Sequence, residues 1–529
     1  MGDKQTLADR VDALLINPSA ITKIKVQDGF IISNSPNTQK SLQIYAYITN
    51  NESMITPDAA RRGLEIYGEE LTTEAKANPG KHPSIDTLEF IIGRGKPVHS
   101  HIVTPYSAKP IPEHIRKAMP EIAERFGTPM HIYDEDGIRR SCRQFNSAFS
   151  WVPGGFKNFF AVKACPNPFL MEIMLKEGFG ADCSSAPELT LAHRVGMTGR
   201  EMMFTSNNTA DSEFQYASRL GALINLDDIT HIDAVERTTG GLPNWLCFRY
   251  NPGNKCEGNV IIGNPVEAKY GLTHEQIFEA YKIAKEKGVK LFGLHTMMAS
   301  NERNPKTLTR QAEIMFNLAA ELEDKVGVDI EFINLGGGVG TSYKPWDREV
   351  NIEEVGGMIA TAYGNIFSGV ASPRIFTECG RVITGPHGWL LTKVRHVMKK
   401  HRDYVGVDAT MADLMRPGMY GAYHHETVLG KENAEHNKVY DVIGSLCENC
   451  DKFAVQRFLP EISRGDLIAI HNAGAHGRAM CFNYNAKLRS GEVLVRSNGE
   501  IELIRRPETE RDYFATLNFP GSGYAHLAK

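Results

Sequence analysis

Cysteine is scarce in this sequence, and neither a long apolar run nor an excess of one charge is present. Nine cysteines in 529 residues are too few for a disulfide framework, which argues for a reducing compartment. No apolar run could span a bilayer, and the first residues lack the charged-then-apolar pattern of a secretory signal. A net charge of −4 gives no general attraction for nucleic acid. These absences predict a cytoplasmic protein that binds neither membranes nor nucleic acids.

Short apolar runs alternate with helical patterns between residues 155 and 385. The runs are nearly continuous, which favours a parallel α/β sheet covered by helices on both faces. Eight such runs over about 230 residues match the size of a (β/α)8 TIM barrel, and the pattern leaves a doubly wound open sheet as the alternative. The predicted strands are 159-FFAVKA-164, 179-FGADCSS-185, 201-EMMFTSN-207, 223-LINLDD-228, 245-WLCFRY-250, 290-KLFGLHTM-297, 329-DIEFINLG-336 and 374-RIFTECG-380.

The rest of the chain has a different pattern on each side of this region. After residue 385 we predict strands joined by turns, which indicates an all-β domain, and 128–145 predicts a strand and a helix ahead of the barrel. The first hundred residues indicate a separate α/β part with no residues that suggest chemistry. The expected domains are an extension over 1–105, a barrel over 135–385, and a β domain built from 106–134 and 386–529.

Five predicted strands end in residues that can do chemistry, and functional groups of a barrel lie at the carboxyl ends of its strands. Each residue has an ordinary structural explanation by itself, such as a snorkelling lysine, a satisfied core histidine, a turn glycine or a structural ion pair. Their convergence on one rim instead favours a shared site. The residues are Lys163, Asp182, His295, the glycines 336–338, Glu378 and Arg381.

This set of side chains suits one cofactor. A lysine on a buried strand can lose its hydration, and the lower pKa that follows lets it form a Schiff base. Glycines allow backbone N–H groups to approach a phosphate, and an arginine adds charge-assisted hydrogen bonds. A carboxylate such as Glu378 can keep a pyridine nitrogen protonated. An aldehyde, a phosphate and a pyridinium together describe pyridoxal 5'-phosphate (PLP).

Seven motifs follow one another between residues 126 and 518, namely 160-FAVKACPN-167, 180-GADCSSAPEL-189, 334-NLGGGVG-340, 378-ECGR-381, 415-MRPGMYGAYHH-425, 446-LCENCD-451 and 473-AGAHGRAMCFNYN-485. In order and wording they resemble the barrel-type (fold-type III) PLP-dependent decarboxylases. They are most similar to the diaminopimelate decarboxylase family, including its D-lysine/D-ornithine decarboxylase branch. The resemblance implies an alanine-racemase-like barrel, a β-sandwich or β-barrel second domain, and a head-to-tail homodimer with shared active sites.

The resemblance also implies a role for each matching residue. Lys163 would bind the cofactor covalently, with Asp182 beside that bond. His295 would stack on the ring, and Glu378 would pair with the pyridine nitrogen. The phosphate region would be held by Ser300, Gly336, Gly337, Gly338, Cys379, Gly380, Arg381 and His476. The substrate's far end would contact Arg381, Arg416, Tyr420, Glu448 and His476, and Cys447 of the neighbouring subunit would donate the proton.

Three positions depart from the family pattern. The motif after the sixth strand is two residues longer when Ser300 is matched to the usual serine. His476 replaces a tyrosine, so its charge is expected to depend on pH. Cys450 replaces a glycine and creates a C-x-x-C pair with Cys447. A zinc site would need a second Cys/His pair, and a redox role would need a helix start after a strand, so we expect two unequal cysteines and no metal.

The expected reaction is decarboxylation at a D-configured α-carbon. We favour meso-2,6-diaminopimelate, converted to L-lysine, because Arg381 and Arg416 could bind its distal carboxylate. D-Lysine or D-ornithine, giving cadaverine or putrescine, is the alternative. An amino-acid racemase is disfavoured by Glu378, and a catalytically inactive PLP-fold regulatory protein is disfavoured by the intact Lys163 and Cys447.

Overall fold

The computed structural model describes residues 5–253, 265–367 and 372–519, and they form three sheets. The parts of the predicted domains at 1–4, 254–264, 368–371 and 520–529 lie outside the described residues. The three sheets are a four-stranded sheet, a closed eight-stranded barrel and a nine-stranded mixed sheet. This architecture confirms the predicted fold class, and barrel closure excludes the open-sheet alternative.

The amino-terminal extension is an antiparallel sheet covered by helices. Its strands lie in the order β2-β1-β4-β3, and the core includes the fully buried Leu42, Tyr45 and Leu88. The elements are α1 (Leu7–Asp12), β1 (Lys23–Val26), β2 (Ile31–Ser33), α2 (Gln39–Ile48), β3 (Met54–Ile55), α3 (Pro57–Tyr67), α4 (Glu69–Ala77), α5 (Pro83–Arg94) and β4 (Val98–Val103).

A connecting segment leads from the extension to the barrel. It consists of α6 (Glu113–Phe126), β5 (Met130–Asp134) and α7 (Glu135–Ala148). Strand β5 joins the carboxy-terminal sheet, so this sheet is completed by a strand that precedes the barrel in sequence. Helix α7 packs on the barrel through Ile138, Cys142 and Phe145.

The barrel contains eight parallel strands separated by helices. Its strands are β6 (Phe156–Ala161), β7 (Gly180–Cys183), β8 (Met202–Thr205), β9 (Leu223–Leu226), β10 (Trp245–Tyr250), β11 (Leu291–Thr296), β12 (Ile330–Asn334) and β13 (Arg374–Thr377). The helices are α8 (Pro168–Lys176), α9 (Ala186–Val195), α10 (Asp211–Arg219), α11 (His231–Thr239), α12 (His274–Glu286), α13 (Pro305–Val326), α14 (Ile352–Phe367) and α15 (Arg381–Thr384). All eight strands predicted from the sequence are present.

Aromatic side chains fill the barrel below the rim. Phe332 and Phe376 stack with their ring centroids 4.5 Å apart, and Phe159 meets Phe376 edge-on at 5.0 Å. This apolar layer fills the barrel interior, and the side chains that suggest chemistry lie above it at the carboxyl ends of the strands.

The carboxy-terminal sheet combines antiparallel and parallel pairs. Its strands are β14 (Gly388–Lys399), β15 (Asp403–Val407), β16 (Glu426–Val428), β17 (Lys438–Ile443), β18 (Lys452–Leu459), β19 (Leu467–Ile470), β20 (Gly491–Val495) and β21 (Ile501–Arg505), with the short helices α16 (Arg416–Tyr420) and α17 (Glu510–Phe514). The sequence analysis missed β16 and β18. Strand β16 is only three residues long, and the burial of β18 does not alternate, so neither has a clear period-two signal.

Among the described residues, no helix is long and apolar enough to cross a membrane. Helix α13 has 22 residues, but polar and charged side chains recur along it.

A small cavity lies between the extension and the carboxy-terminal sheet. It has a volume of about 40 Å³ and is lined by residues that include His101, Trp346, Glu426 and Arg457. Both carboxylate oxygens of Glu426 are buried without a hydrogen-bond partner among the described residues. Burial raises the pKa of Glu426 to about 7, although Arg457 opposes the shift.

The Glu426→Gln variant should lose less folding stability than the wild-type protein when the pH is raised. The native Glu426 carboxyl keeps its proton to about pH 7, whereas an unfolded chain releases it near the ordinary value of 4.5. Stability is therefore lost as pH rises between these values, by up to about 3 kcal/mol. We expect the fall in Tm from pH 5 to pH 8 to be smaller in Glu426→Gln than in wild type or in the exposed-site control Glu500→Gln. An equal fall in all three proteins contradicts the prediction.

Candidate active site

A cavity of about 620 Å³ opens at the carboxyl ends of the barrel strands. Barrel loops, the carboxy-terminal domain and the amino-terminal extension all contribute to its wall. Six residues proposed from the sequence line it, namely Lys163, Ser300, Arg381, Arg416, Tyr420 and His476.

Lys163 lies on a helical turn that directly follows β6. Its neighbours Val162 and Ala164 are buried, whereas the Lys163 side chain is exposed to the cavity. The turn directs the amine out of the core and into the cavity, and the covalent role predicted for Lys163 stays a prediction.

Below the cavity floor, Glu378 is the centre of a buried hydrogen-bond network. Its Oε1 accepts from the Asn334 amide at 2.8 Å, and its Oε2 accepts from His295 Nε2 at 3.2 Å. Asn225 donates to His295 Nδ1 at 2.7 Å, so the other ring nitrogen, Nε2, carries the proton shared with Glu378. The network joins the ends of β9, β11, β12 and β13.

Two buried carboxyl groups have pKa shifts of opposite direction. Burial acts to raise the pKa of Glu378, but His295 and Lys163 hold it below its ordinary value. Asp182 is also buried, and burial together with the charge of Glu378 raises its pKa well above the usual range. Asp182 Oδ1 has no hydrogen-bond partner among the described residues. The site therefore holds one ionised carboxylate and one carboxyl that favours its proton.

The glycines after β12 form a cradle that side chains would fill. Gly336 and Gly338 have left-handed φ angles of 72° and 97°. A Cβ on Gly336 would lie 2.1 Å from Thr296 O, and one on Gly337 would lie 2.7 Å from Glu378 O. Backbone therefore packs against backbone, and only glycine fits.

The segment after β13 completes this side of the rim. Asn158 fixes Cys379, whose N–H donates to Asn158 Oδ1 at 2.8 Å and whose carbonyl accepts from Nδ2 at 3.0 Å. Gly380 precedes α15, and a Cβ at Gly380 would lie 2.7 Å from that of Ala164. Burial raises the pKa of the Cys379 thiol to about 12, so this cysteine is an inert packing residue.

Arg381 and Arg416 flank the ring of Tyr343. Arg381 donates to the Tyr343 hydroxyl at 2.7 Å, and the Arg416 guanidinium lies 4.5 Å from the ring centroid. Arg416 also donates to His424 Nε2 at 2.9 Å. Within the described part of the chain, neither arginine forms an ion pair with a carboxylate. Two cations thus border the cavity and are available to an anionic group.

His476 is held as a neutral imidazole. Its backbone N–H donates to Ala164 O at 2.8 Å, which fixes it beside Lys163. Burial, followed by the charges of Arg381, Arg416 and Lys163, lowers the pKa of His476 well below its ordinary value. The expected pH-dependent charge is therefore corrected to a neutral donor or acceptor over the ordinary pH range.

Cys447 and Glu448 do not reach the cavity of their own chain. Both side chains are exposed, and they share a hydrogen-bonded group with Tyr484. The Tyr484 hydroxyl donates to Glu448 Oε1 at 3.0 Å, and Cys447 Sγ lies 3.4 Å from that hydroxyl. Cys450 is also exposed and contacts Met411 Sδ at 3.8 Å. All eight cysteines described by the structure are free thiols, and no cluster of three or more metal-binding side chains occurs among the described residues.

Sequence reasoning missed several residues of the site. Asn225 and Asn334 stand at strand ends, and the rule used for Lys163 could have identified them. Tyr343 and Lys344 lie in a loop with no recognisable pattern, so only the structure brings them to the cavity. The extension residues Leu14, Ile16, Ala46, Tyr47 and Asn51 also line the cavity, where no chemistry was expected of the extension.

The residues present fit PLP. A lysine amine faces the cavity, three glycines follow β12 at the same rim, and a buried carboxylate, Glu378, has its pKa lowered by the charge of that lysine. Asp182 Oδ1 is an unpartnered buried polar atom on the same floor. A flat, anionic cofactor with an aldehyde could use each of these groups.

Two family models match separate parts of the chain. "Pyridoxal-dependent decarboxylase, pyridoxal binding domain" matches residues 135–385. "Uncharacterized protein conserved in bacteria (DUF2322)" matches residues 9–102, which is the extension.

Known relatives match about three quarters of the chain. Protein TabA of Pseudomonas amygdali pv. tabaci is 39% identical over 75% of this chain and 93% of its own length. Diaminopimelate decarboxylase of Methanothermobacter thermautotrophicus is 35% identical over 76% of this chain and 94% of its own. The crystal structure of diaminopimelate decarboxylase from M. jannaschii in co-complex with L-lysine superposes with a TM-score of 0.70 at 29% identity, covering 76% of this chain and 94% of that one.

Fold and site together define an enzyme of the PLP-dependent decarboxylase class, with PLP as its cofactor. The chain belongs to the diaminopimelate decarboxylase family. The matched relatives are shorter than this chain by roughly the length of the extension.

Lys163→Ala should abolish the visible absorbance of the lysine-bound cofactor. Lys163 lines the cavity beside His476, whose backbone N–H donates to Ala164 O, and Lys344 is a second lysine of the lining. Addition of PLP should produce this absorbance in wild type and in the control Lys176→Ala, whose lysine is exposed and paired with Glu172. Absorbance of wild-type strength in Lys163→Ala would show that another group binds the cofactor.

Proposed function

We propose that this enzyme removes the carboxylate from the D-configured α-carbon of meso-2,6-diaminopimelate and releases L-lysine and CO2. Arg381 and Arg416 are the observation that carries the proposal. Both guanidinium groups border the cavity and lack a carboxylate partner among the described residues, and meso-diaminopimelate brings a distal carboxylate to them. D-Lysine and D-ornithine have no such group and would leave these cations uncompensated.

Each group of the site has a task in this reaction. Bound PLP supplies the electron sink that a departing CO2 requires. The ionised Glu378 would hold a proton on the ring nitrogen of bound PLP, and each of its oxygens keeps a lone pair for such a contact. Asp182, which favours its protonated form, would donate a hydrogen bond to the cofactor. The neutral His476 would donate to the phosphate region without adding charge beside Arg381.

Arg416→Gln should lower kcat/KM for meso-diaminopimelate by about 10- to 100-fold, since a hydrogen-bonded ion contact of about 1.5–3 kcal/mol is lost. The exposed-site control Arg464→Gln should behave like wild type. Release of CO2 from meso-diaminopimelate, D-lysine and D-ornithine measures the effect, and cofactor absorbance checks the integrity of each variant. Turnover of D-lysine or D-ornithine without turnover of meso-diaminopimelate would overturn the proposed substrate.

We further propose a head-to-tail homodimer in which Cys447 and Glu448 enter the partner's cavity. Cys447 then returns a proton to the α-carbon, and Glu448 contacts the substrate's far end. Two exposed surfaces support this arrangement. Met419 and Tyr420 are 54% and 42% exposed beside the cavity, and Tyr484 is 47% exposed beside Cys447 and Glu448. Pairing these surfaces would bury apolar area that a monomer leaves in water.

Mixing two inactive variants should restore activity if the sites are shared. Lys163→Ala and Cys447→Ala each disable both sites of their own homodimer, but a mixed dimer has one intact site. Random pairing then gives about a quarter of wild-type activity. Cys447→Ala should retain the cofactor absorbance, and the control Cys450→Gly should change turnover little. No recovery on mixing, or equal losses from Cys447→Ala and Cys450→Gly, contradicts the arrangement.

A cytoplasmic location completes the proposal. The eight described cysteines are free, and Cys447 must stay a thiol to carry a proton. A reducing compartment maintains that state.

A further inference from the structure

The extension docks on the rim where the chemistry takes place. Ile16 forms an isolated antiparallel β-bridge with Asp347, in the loop after β12. Asn17 N donates to Trp346 O at 2.8 Å, and Arg348 N donates to Leu15 O at 2.8 Å. Arg348 also pairs with Asp12 at 2.7 Å. A domain added for stability could dock anywhere, but this one covers the catalytic end of the barrel.

The docking is part of the fold of both domains. Tyr343, Trp346 and Tyr423, from the barrel loop and the carboxy-terminal domain, belong to the hydrophobic core of the extension. Gln43 Nε2 donates to Ile16 O at 3.0 Å in a buried position and fixes residues 14–17 to α2. The position of the extension over the cavity is therefore set by a shared core.

The extension contributes only uncharged side chains to the cavity wall. Leu14, Ile16 and Ala46 are apolar, and Tyr47 and Asn51 are polar. Three cations, Arg381, Arg416 and Lys344, line the same cavity, and Lys344 forms no ion pair with a carboxylate among the described residues. A neutral wall excludes water from these cations, which strengthens their attraction for a substrate carboxylate.

Asn51 connects the extension to the substrate-binding loop of the carboxy-terminal domain. Its Nδ2 donates to the carbonyl of Gly421, the residue after Tyr420. Its Oδ1 is a hydrogen-bond acceptor at the cavity wall, as is the hydroxyl of Tyr47. Two neutral acceptors in the cavity that the arginines also line suit a substrate end that carries an ammonium group next to a carboxylate.

We propose that the extension forms one wall of the substrate pocket, and that Tyr47 and Asn51 are specificity-determining residues that position the distal ammonium of the amino-acid substrate. The assignment of the distal group rests on the function proposed above. The wall itself follows from the docking geometry alone.

Point variants of the full-length holoenzyme test the proposal. Tyr47→Ala and Asn51→Ala should each raise KM for meso-diaminopimelate at least 10-fold with kcat within about threefold of wild type, and weaken L-lysine binding in calorimetry by a similar factor. The ratio of kcat/KM for meso-diaminopimelate over D-lysine should also change. Phe90→Ala is the matched control, because Phe90 is an exposed aromatic residue of the same extension outside the cavity. The proposal is overturned if KM for meso-diaminopimelate and the affinity for L-lysine stay within twofold of wild type in both Tyr47→Ala and Asn51→Ala.

A second readout does not depend on the substrate. Hydroxylamine is a small nucleophile that removes the lysine-bound cofactor, so the decay of the visible absorbance reports access to the cavity. Tyr47→Ala should accelerate this decay severalfold, and Phe90→Ala should not. If wild type turns over none of the three amino acids, the proposed function fails, and hydroxylamine alone decides on the wall. In that case an unchanged decay rate in Tyr47→Ala overturns the proposal that the extension forms a cavity wall, and a faster decay supports it.

Discussion

A single negative charge buried at the barrel rim organises this active site. Glu378 stays ionised although it is buried, because His295 and Asn334 donate to its two oxygens. Its charge in turn favours the proton on Asp182. The network around this side chain also joins four strand ends of the barrel. Two carboxyl groups in one layer thereby acquire opposite protonation preferences.

Backbone packs closely around this charge at the rim. The glycines after β12 lie against the carbonyls of Thr296, Glu378 and Ala299, so a side chain at any of the three positions would collide with backbone. The aromatic layer beneath fills the interior of the barrel. The site is thus bounded below by a packed core.

The remaining walls come from three different parts of the polypeptide. The carboxy-terminal domain brings Arg416 and His476, the extension brings Tyr47 and Asn51, and the proposed partner brings Cys447 and Glu448. A pocket assembled in this way can change its substrate without changing the barrel. The extension is matched by a family model of its own, separate from the model that matches the barrel.

The sequence by itself determined the barrel, the cofactor class and most residues near Lys163, because strand periodicity and strand-end chemistry are local properties. It also indicated an α/β extension and a β domain, but not β16 or β18, whose pairing depends on distant partners. Only the tertiary structure decided the ionisation preferences of Glu378, Asp182 and His476, since burial and neighbouring charges come from segments far apart in sequence. It alone brought Tyr343 between the two arginines and placed Tyr47 and Asn51 at the cavity, because domain docking leaves no periodic signal in the chain.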